Sequence, residues 1–210
     1  MILIGQYDSP FVRRVAIALT LYEIPFEQNP WSVWTNAEEI AQYNPLRRVP
    51  TLVLPDGEWL IESFAILETL DELVGPERAL LPAHGPVRRD GLQVCALATG
   101  VAEKAVSLLY ELLLREVPSP LWCTRCGRQI SDALTLLNRD RAQRTTPYWL
   151  GEQLSHADIA VACALRFVRE AHAELFESLK IPALRQHSER CESLPVFQTV
   201  SQPLTVTLAR

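Results

Sequence analysis

The sequence has no unbroken apolar run approaching the roughly 18 residues of a membrane span. Nor does a basic stretch precede an apolar one at its start, where Met1-Ile2-Leu3-Ile4-Gly5 is too short for a secretory segment. These two absences predict a soluble, cytoplasmic protein with no membrane partner. Cationic excess is missing too, with 20 Lys and Arg against 25 Asp and Glu and a formal net charge of −5. That balance argues against nucleic acid as the main partner, because a phosphate-binding surface needs clustered cations without matching acids. The pairs Arg13-Arg14, Arg47-Arg48 and Arg88-Arg89 are too short to change this. Internal repeats and low-complexity tracts are absent. Cysteine is sparse and odd in number, with five residues, which predicts reduced thiols. Cys123-Thr124-Arg125-Cys126 lacks a second Cys pair or a nearby His, so no metal site is expected there.

What is present is an ordinary globular composition, 48% hydrophobic and 21% charged, long enough for one large or two small domains. Ile2-Leu3-Ile4 reads as a buried strand. Ser9-Pro10 reads as an N-cap with Pro at the first helical position. The apolar stripe Val12, Val15, Ala16, Leu19, Tyr22 carries that helix to Pro25. A strand over 26–30 and a short helix around Ala37 to Tyr43 follow. Pro50 to Leu54 and Trp59 to Ile61 predict a hairpin about a two-residue Asp56-Gly57 turn, before a helix with Ile66, Leu67 and Leu70 on one face. That order implies a small mixed sheet with helices on its faces.

The Pro- and Gly-rich stretch 75–86 reads as a linker, and everything beyond it as helical. One long face runs Val94, Leu97, Ala98, Val101, Ala105, Leu108, Leu109, Leu112, and a second runs Ile130, Leu134, Leu137. Ile159 to Leu165 is apolar all round, as a central helix is. Ser155 to Asp158 reads as its capping box, with Leu154 and Ile159 as the staple and His156 exposed in the first turn. Pro182 and Pro195 mark later helix starts.

Three local patterns resemble the glutathione transferase superfamily, in its bacterial-type, serine-type form. They are Ser9-Pro10-Phe11-Val12-Arg13; Asn44-Pro45-Leu46-Arg47-Arg48-Val49-Pro50-Thr51-Leu52 with Leu60-Ile61-Glu62-Ser63-Phe64-Ala65-Ile66; and Gly151 to Ile159. The resemblance implies a thioredoxin-like α/β domain over about residues 1–76 and an all-α domain over 86–210. It also implies a cytoplasmic homodimer that uses glutathione as co-substrate in detoxification, conjugating the thiol to a small hydrophobic electrophile.

The family's site residues carry over onto this sequence. Ser9 is the implied catalytic residue, donating a hydrogen bond to the glutathione sulfur; Tyr7 is the rival donor, and a plain helix cap is the structural alternative for Ser9. A hydroxyl donor and a helix N-terminus both favour a thiolate over a thiol whose free pKa is about 8.5. Phe11 also borders the implied glutathione site. Val49-Pro50 is the expected cis peptide, presenting the Val49 backbone to the cysteinyl unit. Glu62 suits the γ-glutamyl ammonium, and Ser63, at a helix start, suits its carboxylate. Arg48 suits the glycyl carboxylate, while Arg47 stands where glycine is frequent in the family. Trp34 and Thr35 line the same end. The electrophile pocket is expected around Phe11 and Tyr110, with Ser107 and Glu111 nearby. A glutathione-dependent peroxidase or reductase, or a non-catalytic interaction protein on the same fold, are the alternatives. Ser9 in place of cysteine argues against disulfide exchange.

Overall fold

In the computed structural model, which describes residues 1–206, Ile2-Leu3-Ile4 forms strand β1 (Ile2–Ile4). Helix α1 (Pro10–Leu21) follows, capped by Ser9 and buried from Val12 to Leu19. It ends with Glu23 in the left-handed region at φ 56°, and Ile24 N–H donates to Leu19 O and Glu23 N–H to Thr20 O. This two-bond ending usually takes glycine at the left-handed position. Strand β2 (Glu27–Asn29) and helix α2 (Ala37–Ala41) come next, then β3 (Thr51–Val53), β4 (Trp59–Ile61) and α3 (Ser63–Val74). The sheet order is β2-β1-β3-β4, with β1 parallel to β2 and antiparallel to β3, and β3 antiparallel to β4.

The hairpin forms, but its turn is not a two-residue one. Leu54 N–H donates to Glu58 O, and Gly57 N–H to Leu54 O, enclosing Pro55, Asp56 and Gly57. Pro55 presets φ near −65° for a type I turn, and Gly57 at φ +90° supplies the following left-handed residue.

The helical half comprises α4 (Pro86–Leu114), α5 (Pro120–Gln143), α6 (His156–Ala171), α7 (Ala173–Ser178) and α8 (Pro182–Glu192); α9 (Pro195–Thr199) follows. α4 packs on α5 and α6 through Val94, Ala98, Val101, Ala102, Ala105 and Leu108. One 18-residue stretch of α4 is apolar enough to cross a membrane by length and composition alone. One face of that stretch is buried against α5 and α6. Leu112, expected on the buried face, is exposed with Leu113 and Leu114, because the packed part of the stripe ends at Leu108.

α6 is buried nearly all round. Asp158 accepts from Ser155 N–H at 2.8 Å and from Trp149 N–H at 2.7 Å, so the capping box also fixes the preceding loop. His156 is buried rather than exposed, since the first turn of α6 is as enclosed as the rest. Asn138 of α5 accepts from Ala183 and Leu184 N–H, capping α8 from another helix. Arg144 clamps Asp90 of α4 with two bonds of 2.9 Å and also binds Asp140.

The chain packs as two compact units, Met1–Ala83 with the segment from Leu194, and His84–Ser193. Two features move the boundaries from those read in the sequence. The stretch after α3 is docked, with Arg78 donating to Tyr22 O at 2.6 Å and Leu80 N–H to the Tyr22 hydroxyl at 2.9 Å. At the other end α9 packs on α1. The buried Arg13 donates to Val200 O and Phe197 O, each at 2.8 Å, with its guanidinium 5.4 Å from the Phe197 ring centre. The segment 194–206 thus belongs with the α/β unit, not the helical one. Residues 207–210 of the expected helical domain lie outside the described residues.

Candidate functional site

Strand register assembles the site. Ile4 of β1 lies opposite Thr51 of β3, and Thr51 opposite Ile61 of β4. The chain leaves β1 towards Ser9 from that end of the sheet, enters β3 from Val49-Pro50 there, and leaves β4 into Glu62-Ser63 there. Three segments, one of them distant in sequence from the other two, therefore meet at one end of the sheet. Gly5 shows how closely they meet. At φ +133°, a Cβ on it would lie 2.4 Å from Val12 Cγ2 and 3.0 Å from Val49 Cβ. Only glycine fits both that backbone conformation and that space.

Ser9 has an extended backbone and caps α1, its Oγ accepting from Val12 N–H at 3.4 Å. A hydroxyl carries one donor and two acceptor lone pairs. Capping uses a lone pair and leaves the O–H to donate outward, so serving as a cap does not occupy the donor. Tyr7 is half-buried, and burial raises its phenol pKa, so it is a neutral donor at physiological pH. Phe11 is half-buried in the first turn of α1.

Asn44, buried, organises the loop before β3. Its amide donates to Arg48 O at 2.9 Å, its Oδ1 accepts from Leu46 N–H, and its carbonyl accepts from Arg47 N–H. Arg47, standing where glycine is common in the family, takes the left-handed conformation that explains the preference, at φ 52°. Its guanidinium pairs with Glu38 at 3.1 Å. The Val49-Pro50 peptide is cis, with Pro50 buried.

Glu62 sits at φ 65°, ψ 120°, and its side chain does not cap α3. A non-glycine residue there costs of order 1–3 kcal/mol, and such positions cluster at ligand sites. The first helical bond is Ile66 N–H to Glu62 O. The amides of Ser63, Phe64 and Ala65 therefore precede the helical ladder and point out of its N-terminus, towards any anion placed there. Ser63 is buried at N1. Arg48 Nη1 lies 3.5 Å from Glu62 Oε1, both side chains about half exposed. The structure thus brings Ser9, Val49, Pro50, Glu62 and Ser63 to one end of the sheet, with Arg48 beside Glu62.

Other expected residues are placed as follows. Trp34 is half-buried and Thr35 exposed in the loop before α2. Ser107, Tyr110 and Glu111 lie on α4, in the helical unit. Glu111 accepts from Ser119 N–H at 2.7 Å and borders a cavity of about 470 Å³ with Arg115, Val117 and Trp122. Cys123 and Cys126 lie on α5 as free thiols; Cys126 is buried, and burial raises its pKa. Residues that sequence reasoning missed are Asn44 as a loop staple and the tail around Gln202 and Thr205. Asn44-Pro45 carried a signal as a loop opener. The tail carried none.

A sequence profile of the glutathione S-transferase N-terminal domain matches residues 8–73, and one of the C-terminal domain matches residues 121–190. The chain is similar to an uncharacterized GST-like protein, YibF, of Escherichia coli K12, with 30% identity over 177 residues, covering 80% of this chain and 82% of the relative. It is similar to a probable maleylacetoacetate isomerase 2 of Drosophila melanogaster, with 27% identity over 206 residues, 94% of this chain and 86% of the relative. Among solved structures it is similar to a glutathione S-transferase of Methylobacterium radiotolerans in complex with glutathione sulfonate. That likeness has a TM-score of 0.88 and 28% identity, and covers 99% of each chain.

Proposed function

The chain belongs to the glutathione S-transferase family, and we propose that it is a transferase that binds glutathione at this end of the sheet and conjugates its sulfur to a small hydrophobic electrophile. The observation that carries the reading is the Ile4, Thr51, Ile61 register, which gathers three segments of matching chemistry. The γ-glutamyl carboxylate meets the Ser63 hydroxyl and the amides opening α3, and the ammonium meets Glu62. The Val49 backbone pairs with the cysteinyl unit, and Arg48 draws the glycyl carboxylate. The relative solved with glutathione sulfonate supports this choice of ligand.

Ser9 then acts on the sulfur. Its O–H donates to the thiolate while its lone pair stays on Val12 N–H. Lowering the thiol pKa by about 1–2 units corresponds to about 1.4–2.7 kcal/mol, within reach of one charge-assisted hydrogen bond plus the dipole of α1. The thiol proton passes to solvent. The sulfur lone pair forms the S–C bond, and the leaving group departs with the electrons of the bond that breaks. Phe11 supplies apolar contact to the electrophile. Family membership also supports a cytoplasmic homodimer, checked by sedimentation against the monomer mass of 23.7 kDa.

Isothermal titration with reduced glutathione, followed by a generic electrophile assay on the same sample, tests the proposal. Saturable binding with turnover is expected; no binding at millimolar glutathione overturns it. The similarity to a probable maleylacetoacetate isomerase favours one second reading, in which the thiolate adds to the substrate and is expelled again. Glutathione is consumed in the first reading and recovered unchanged in the second.

A further inference from the structure

The loop carrying Ser9 is tied to the far end of the chain. Tyr7 N–H donates to Gln202 Oε1 at 3.2 Å, and Thr205 N–H donates to Asp8 Oδ2 at 3.1 Å. Both loop residues immediately precede Ser9. The tail making these bonds is anchored on Ser9's other side. Arg13, whose own N–H donates to Ser9 O at 2.9 Å, holds Phe197 O and Val200 O with its buried guanidinium. Ser9 is therefore bracketed by contacts with one segment, residues 197–205. Within the loop the Ser9 N–H to Gln6 O bond, at 3.2 Å, draws the turn together, and Gly5 is held separately by Asn29 and Gln28.

We propose that this segment is a strap that fixes the direction of the Ser9 hydroxyl, with Gln202 as a positioning residue for thiolate formation. The inference rests on the glutathione reading above. Its physical basis is that a hydrogen-bond donor works on a sulfur only while its position is held to a fraction of an ångström. The groups assigned to the rest of glutathione, on α3 and at Val49, lie outside the strap's hydrogen bonds. Loosening the strap should therefore alter the sulfur's pKa and kcat far more than glutathione affinity. A merely structural tail would not produce that split.

The test uses the full-length protein with Gln202→Leu, Gln202→Glu and Asp8→Ala. Amide exchange at Tyr7 should accelerate about tenfold in Gln202→Leu, the scale of one lost hydrogen bond. It should stay slow in Gln202→Glu, which keeps an acceptor. In Gln202→Leu and Asp8→Ala the thiolate absorbance of bound glutathione should titrate at higher pH, with Kd for glutathione changing less than about threefold. Unchanged Tyr7 exchange in Gln202→Leu overturns the strap. Faster exchange with an unmoved thiol titration overturns the positioning role. Failure of the wild type to bind glutathione is a different result, which sinks the reading beneath the proposal while the exchange data still report on the strap.

Discussion

Arg48 and Glu62 hold their charged groups 3.5 Å apart on two segments that flank the β3–β4 hairpin. Both side chains are about half exposed, so their mutual attraction is worth little. Glutathione, carrying two carboxylates and an ammonium, can separate them without a large penalty. Arg48→Ala should weaken glutathione binding about threefold and Ser63→Ala about tenfold, with the Arg48 effect shrinking in high salt. Calorimetry at two ionic strengths checks this; unchanged affinity in Ser63→Ala removes that residue from the site.

Ser9→Ala should raise the pKa of bound glutathione by about 1–2 units while changing its affinity little. The absorbance of the thiolate reads this directly. A shift in Tyr7→Phe instead would transfer the donor role to Tyr7, whose raised pKa keeps its proton available. Loss of the helix cap adds a cost of about 1 kcal/mol in Ser9→Ala, so stability should be measured beside the titration.

Gly5→Ala should destabilise the first unit by about 2 kcal/mol or more, combining the positive φ with overpacking. The added methyl would meet Val12 at 2.4 Å and press on Val49 at 3.0 Å. A denaturant midpoint equal to wild type would contradict the close approach of β1's exit to both neighbours.

Acid should weaken the helical unit through His187. Burial, aided by the nearby charges of Arg141 and Arg190, lowers its pKa to about 3. A depressed histidine contributes stability that is fully present above its unfolded value of about 6.5 and is lost as pH falls towards the folded value. Burial lowers His172 in the same direction. Asp158, 3.4 Å from His187, is raised by burial and has the opposite sign, favouring the fold at low pH. His187→Gln should flatten the fall in unfolding free energy between about pH 6.5 and 4.5 by up to about 1.4 kcal/mol per pH unit. Denaturant titrations at three pH values decide it, and an unaltered slope would contradict the assignment.

The parts of the site readable from the sequence are those fixed by local chemistry. Ser9-Pro10 specifies a capped helix start, Val49-Pro50 a strand entry, and Glu62-Ser63 a helix start after a hairpin. Even there, Pro55 altered the turn, because a proline just before Asp56-Gly57 selects a three-residue loop. The strap was illegible for a different reason. Nothing in Gln202 or Thr205 announces that its partner lies nearly two hundred positions earlier, and both sit in a segment without periodicity. His156 failed similarly, since position in the first turn suggests exposure only when the helix has an outer face.

The return of the tail to the first unit has a consequence for synthesis. The ribosome releases β1, α1 and the sheet first, then the whole helical unit, and only afterwards the carbonyls of Phe197 and Val200 that Arg13 holds. The α/β unit therefore starts before the helical unit and is completed after it. In a nascent chain stalled before residue 197, the Arg13 guanidinium has yet to receive the Phe197 and Val200 carbonyls that it holds in the folded protein.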